Sequence, residues 1–137
     1  MKYIKYLLFT LSITSCKSEK ERNVIGRWYA SQLIECGDLV PIQMDKVNFE
    51  LKPDGRYIFN SALNIHEEGK YRIKGDYLYT KDLIKENAVE KIVKITSLNS
   101  DSLVLEMNNK GKDQTLTLLK SQNTNKAPNK INASNIK

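Results

Sequence analysis

Phe49-Glu50-Leu51-Lys52-Pro53-Asp54-Gly55-Arg56-Tyr57-Ile58-Phe59 reverses the chain within four residues, and that reversal decides the fold. Ahead of the turn, Val47-Asn48-Phe49-Glu50-Leu51 alternates apolar and polar residues, as a strand with one buried face requires. Pro53 sets the first turn angle and Gly55 tolerates a positive φ. The returning run, residues 56–60, puts Tyr57 and Phe59 on one face. A β-hairpin is therefore expected.

Working outward, the same period of two recurs. A polar loop over residues 61–67 leads to an alternating run at 69–74, and Gly75-Asp76 reverses it into Tyr77-Leu78-Tyr79, a second hairpin. Residues 91–98 and 103–107 read as strands joined at Asn99-Ser100-Asp101, and a turn at 108–113 leads to a last strand at 114–120. Upstream, residues 25–35 form the first run, followed by a long loop through Gly37, Asp38 and Pro41. Residues 81–90 fit either a short helix or a mobile hairpin loop. Short strands spaced about 8 to 12 residues apart predict an all-β domain, an up-and-down antiparallel barrel or a sandwich. Alternation points Tyr57, Phe59, Tyr71, Ile73, Val93, Ile95, Leu103, Leu105 and Leu116 inward.

A chain of 137 residues is one domain's worth. Its formal charge of +6 suggests nucleic acid until it is divided by segment. Lys2 and Lys5 lie near the start, and Lys126, Lys130 and Lys137 lie in the last stretch without acids, so residues 17–120 carry only +1. No basic face with interleaved aromatics remains, which excludes a nucleic-acid partner. The terminal lysines suit a solvated tail or a weak contact with anionic lipid. Composition divides the chain into residues 1–15, a flexible tether at 16–23 in which residues 17–23 carry no apolar side chain, a folded domain at 24–120, and a polar tail at 121–137 expected to be disordered.

Lys2, Lys5 and the apolar run at 7–13 have the layout of a cleaved export signal. The run falls short of the roughly 20 apolar residues of a spanning helix. Ile13-Thr14-Ser15-Cys16 resembles the bacterial lipobox, an aliphatic residue and two small ones before a lipid-accepting cysteine. The resemblance implies that residues 1–15 are a lipoprotein signal peptide and that Cys16 carries acyl chains such as palmitate. Its partner would then be membrane lipid in a bacterial envelope, at the periplasmic or surface face of the outer membrane. With Cys16 acylated, Cys36 has no intramolecular partner and reads as a small buried apolar residue.

Catalytic chemistry finds little support. His66 is the sole histidine, so any Ser-His-Asp or Cys-His relay would run through it, and Asn64-Ile65-His66-Glu67-Glu68 reads as a polar loop. Adjacent residues on an extended chain point to opposite faces, which argues against a metal site of His66, Glu67 and Glu68. All the acids fall on polar faces or turns. The expectation is a protein that is not an enzyme and has no cofactor.

Gly26-Arg27-Trp28 heads the first strand, and together with the hairpin of residues 49–59 and the lipobox it resembles the lipocalin-like lipoproteins of Bacteroidetes. The likeness spans residues 24–120 and implies a small lipocalin-like barrel of about eight strands, with Trp28 plugging the closed end and Lys120 packed over it. It further implies binding of a small hydrophobic ligand or envelope lipid, with Trp28, Tyr57, Phe59, Tyr71 and Leu105 as candidate ligand-binding residues and a monomer as the working form. Trp28 reads equally as the largest core residue. The rival is a protein-protein module of the envelope, of inhibitor or immunity type, with a filled core.

Overall fold

The computed structural model describes residues 16–122; residues 1–15, where a signal peptide is expected, and all but two residues of the expected tail lie outside the described residues. The tether contains a helix. α1 (Glu19–Val24) starts at Ser18, whose hydroxyl accepts from the Glu21 amide while the Glu21 carboxylate accepts from the Ser18 amide. Each side chain satisfies an amide that the first helical turn leaves unpaired. Val24, at the far end of α1, is fully buried. The expected flexible tether is therefore corrected: polar composition at 17–23 conceals a capped turn of helix that packs on the barrel.

Nine strands follow: β1 (Gly26–Glu35), the stub β2 (Asp38–Leu39), β3 (Asn48–Leu51), β4 (Arg56–Asn60), β5 (His66–Lys74), β6 (Tyr77–Asp82), β7 (Lys91–Leu98), β8 (Ser102–Asn109) and β9 (Lys112–Lys120). A 3-10 turn, Met44–Lys46, precedes β3. All pairings are antiparallel between neighbours, and β9 returns to pair with β1 from Trp28↔Lys120 to Glu35↔Gln114. Eight strands thus close into an up-and-down barrel, with β2 an extra strand on the end of β1. Register shifts between Ala30 and Gln32 and between Ile95 and Ser97 add local twist of the kind that curls a sheet shut.

The central hairpin forms as its sequence dictates. Phe49 pairs with Phe59 and Leu51 with Tyr57; Gly55 takes φ +85°, and the Asp54 carboxylate accepts from the Arg56 amide at 3.0 Å. Phe49 meets Tyr57 and Phe59 edge-on at 5.7 and 5.9 Å between ring centroids, a favoured aromatic geometry. The nine residues expected to point inward all belong to the core or pack against it.

Two boundaries differ from expectation. β6 continues through Asp82, and residues 83–90 form a loop of bends and turns without a helix. β5 begins at His66 instead of 69, so the alternation that buries Gly69 and half-buries Tyr71 and Ile73 extends back to Glu67 and turns that carboxylate inward. Cys36 is likewise not buried: it is exposed in the turn between β1 and β2 at φ +50°, its amide donating to the Asp113 carbonyl.

Candidate functional site

The two ends of the barrel differ. At one end lie α1, the turns at 52–55 and 75–76, and the connection at 99–101; at the other lie the longer segments 36–47, 61–65 and 83–90. Trp28, fully buried, sits at the α1 end, its indole N–H donating to the Val24 carbonyl at 2.8 Å. Lys120 crosses above it with Nζ 5.0 Å from the ring centroid, within reach of a cation–π contact, and 3.2 Å from the Asn23 carbonyl. Gly26 makes room for that crossing, since a Cβ there would lie 2.4 Å from Lys120 Cε. This end is closed.

Above the plug the barrel is not filled. A cavity of about 180 Å³ lies between Phe49, Tyr57, Phe59, Leu78, Val93 and Leu105, with Leu116 and Met107 completing the apolar wall. Liquid water takes about 30 Å³ per molecule, so the volume equals roughly six waters. Drug-sized ligands occupy pockets of about 300 Å³ and more. The cavity suits one ring or a short alkyl group, and an extended acyl chain would project from it.

Polar groups gather on one side of the cavity. Thr80, Glu67 and Lys91 join the lining. The Tyr57 hydroxyl donates to Glu67 Oε2 at 3.3 Å, and Lys91 Nζ donates to Glu67 Oε1. Burial pushes the Tyr57 hydroxyl pKa up, and the Glu67 and Asp82 carboxylates push it further, so it remains a neutral donor. Leu63, Ile65, Leu83, Ile84 and Val89 stand exposed on the two loops at this end.

Other hollows have different characters. One of about 420 Å³ lies among Tyr77, Ile92, Lys94, Glu106 and Thr115, whose neighbours along each strand face the core, so it belongs to the outer surface. His66, at the start of β5, is half exposed and hydrogen-bonded through its ring nitrogens to Asn60 and Glu68 at 2.7 and 2.9 Å.

An antiparallel barrel of this topology has counterparts among solved structures. A lipocalin-like protein from Bacteroides uniformis superimposes with a TM-score of 0.55 at 18% identity, over 72% of this chain and 99% of that one. The fold is lipocalin-like. An uncharacterized protein from Bacteroides eggerthii matches with a TM-score of 0.51 at 13% identity, over 71% of this chain and 98% of that one. No family model and no curated protein matches the sequence.

Within the lipocalin-like barrel the five candidate residues separate into two groups. Tyr57, Phe59 and Leu105 line the cavity. Trp28 does not; it is packed into the closed end, with its indole N–H on the Val24 carbonyl. Tyr71 is also absent from the lining; its hydroxyl donates to the Lys52 carbonyl at 2.7 Å, which holds the ring towards the turn at 52–55. Glu67 and Lys91 were missed by alternation, which seeks apolar residues. Glu67 was accessible by stepping back two residues at a time from Ile73 through Tyr71 and Gly69.

Proposed function

We propose that this barrel is a non-enzymatic binding module for a small, largely apolar ligand, held in the cell envelope by acyl chains on Cys16. The observation that carries the reading is the apolar cavity with one polar edge, the arrangement by which small-molecule sites combine desolvation with orientation. The anchor rests on the lipobox at residues 13–16, and two or more acyl chains make such an anchor stable where one is marginal.

Where the anchor joins the barrel bears on the ligand's source. Cys16 lies two residues before Ser18, the cap of α1, and Lys17 Nζ donates to the Pro53 carbonyl in the turn at 52–55. Acyl chains at Cys16 would therefore leave from the closed end, and the segments 61–65 and 83–90 would stand about 20 Å farther from the membrane, given strands of eight or nine residues tilted in a small barrel. That favours a ligand arriving from the aqueous side over a lipid drawn from the anchoring leaflet.

Native mass spectrometry of the full chain extracted from a bacterial envelope tests both halves of the proposal. The expected spectrum carries a covalent diacylglycerol-type mass that survives denaturation and a second, small mass that denaturation removes. A processed chain without the covalent mass contradicts the anchor. A chain that shows no removable mass and takes up no small aromatic alcohol contradicts the ligand, and the exposed apolar side chains Leu63, Ile65, Leu83, Ile84 and Val89 then favour a protein partner.

A further inference from the structure

The apolar cavity ends on charge. Glu67 is only 13% exposed, short, and steadied by the Tyr57 hydroxyl, whereas the Lys91 side chain is 59% exposed on a flexible four-carbon stem. The pair thus consists of a fixed anion and a movable cation. A second hollow of about 330 Å³, walled by the 83–90 loop, shares Glu67 and Lys91 with the cavity and adds the charged groups Asp82, Glu90 and Lys85. The pair stands where the two spaces meet.

An inward carboxylate beside aromatic walls has a definite preference. A protonated amine entering the cavity gains a charge-assisted hydrogen bond to Glu67 and the neighbourhood of Phe49, Tyr57 and Phe59, while its apolar part fills the remaining volume. An anionic ligand of the same shape meets the fixed Glu67 at the lining with Asp82 and Glu90 beyond it, all of like charge, and the cations it meets, Lys91 and Lys85, are carried on long flexible stems. We propose that the barrel binds a small apolar amine, a ring or short alkyl group bearing an ammonium, and that this ammonium displaces Lys91 Nζ from Glu67. The inference rests on the ligand-binding reading above and names its ligand class.

Three probes of matched shape test it: 2-phenylethylamine, 2-phenylethanol and 3-phenylpropionate, titrated calorimetrically into the full chain held in lipid nanodiscs. The amine is expected to bind about tenfold to a hundredfold more tightly than the alcohol, the usual range for a hydrogen bond to a charged group. Glu67→Gln should abolish that margin, while the alcohol, to which the Gln side chain still offers an acceptor oxygen, should still bind measurably and so show that the variant's cavity is present; Glu67→Asp, which keeps the charge, should retain part of the margin. Lys91→Met should strengthen amine binding by removing the internal competitor. Tightest binding of the acid, or an amine-to-alcohol ratio unaltered by Glu67→Gln, overturns the proposal. Alcohol binding without an amine preference overturns it while leaving the ligand-binding reading standing, and failure of all three probes overturns both.

Discussion

Trp28→Ala is expected to lower the free energy of unfolding by about 3 to 5 kcal/mol, the range for truncating a large buried aromatic. Three losses coincide at this position. The fully buried indole leaves a void at the base of the barrel, the Val24 carbonyl loses its donor at 2.8 Å, and Lys120 loses the ring beneath its ammonium. The second loss releases α1, because Val24 is the helix residue that enters the core. Trp28→Phe, which keeps a ring but not the N–H, should cost about 1 kcal/mol for the hydrogen bond alone, plus a smaller packing term. Since Trp28 is the sole tryptophan, the measurement is urea unfolding followed by far-UV circular dichroism. A Trp28→Ala variant within about 0.5 kcal/mol of the parent, the scatter of surface substitutions, would show that Trp28 does not close the barrel.

Gly69→Ala is the second substitution with a large expected effect, about 3 kcal/mol, at the top of the usual range for overpacking. Gly69 is buried in β5 between Tyr57 of β4 and Asp82 of β6. A Cβ at this position would lie 1.9 Å from the Lys81 carbonyl oxygen and 2.8 Å from its carbonyl carbon. The obstacle is backbone, so no side-chain rotation relieves it, and the β5–β6 ladder must separate. Glu67 stands two residues upstream on the same inward face, so the same distortion should weaken ligand binding. Urea unfolding of Gly69→Ala beside Gly75→Ala gives the comparison, because Gly75 has open space around a Cβ and only its φ of +60° to resist substitution. A larger loss at Gly75 than at Gly69 would contradict the packing argument.

Much of the fold was legible because the chain obeys a period of two with few exceptions. The hairpin through Pro53 and Gly55 and the inward faces of β5, β7, β8 and β9 all follow from alternation plus turn chemistry. Closure of the barrel and the position of Lys120 over Trp28 came from resemblance, since contacts between the first and last strands leave no local trace. Helix α1 escaped a reading based on composition, although Ser18 and Glu21 have the spacing of a capping box. Cys36 shows the opposite error: burial was assigned by residue type, and the turn into β2 overrode it.

The binding site was less legible for a physical reason. Alternation identifies which side chains point inward but carries no volume, so Trp28 and Tyr71 could not be told apart from Tyr57, Phe59 and Leu105. Trp28 packs the closed end, Tyr71 turns its hydroxyl to the Lys52 carbonyl, and the other three line the cavity. A charged residue such as Glu67 enters a wall only when strand register is known, and moving the start of β5 from 69 to His66 supplies that register.

The most direct test of the central claim, that the barrel interior receives a small ligand, is a crystal structure of the protein grown with 4-bromobenzyl alcohol, a neutral probe recorded at the bromine absorption edge. An anomalous peak is expected inside the barrel among Phe59, Val93 and Leu105, with the probe's hydroxyl towards Glu67. A barrel interior without bromine, or a peak confined to the outer hollow beside Tyr77 and Ile92, would contradict it.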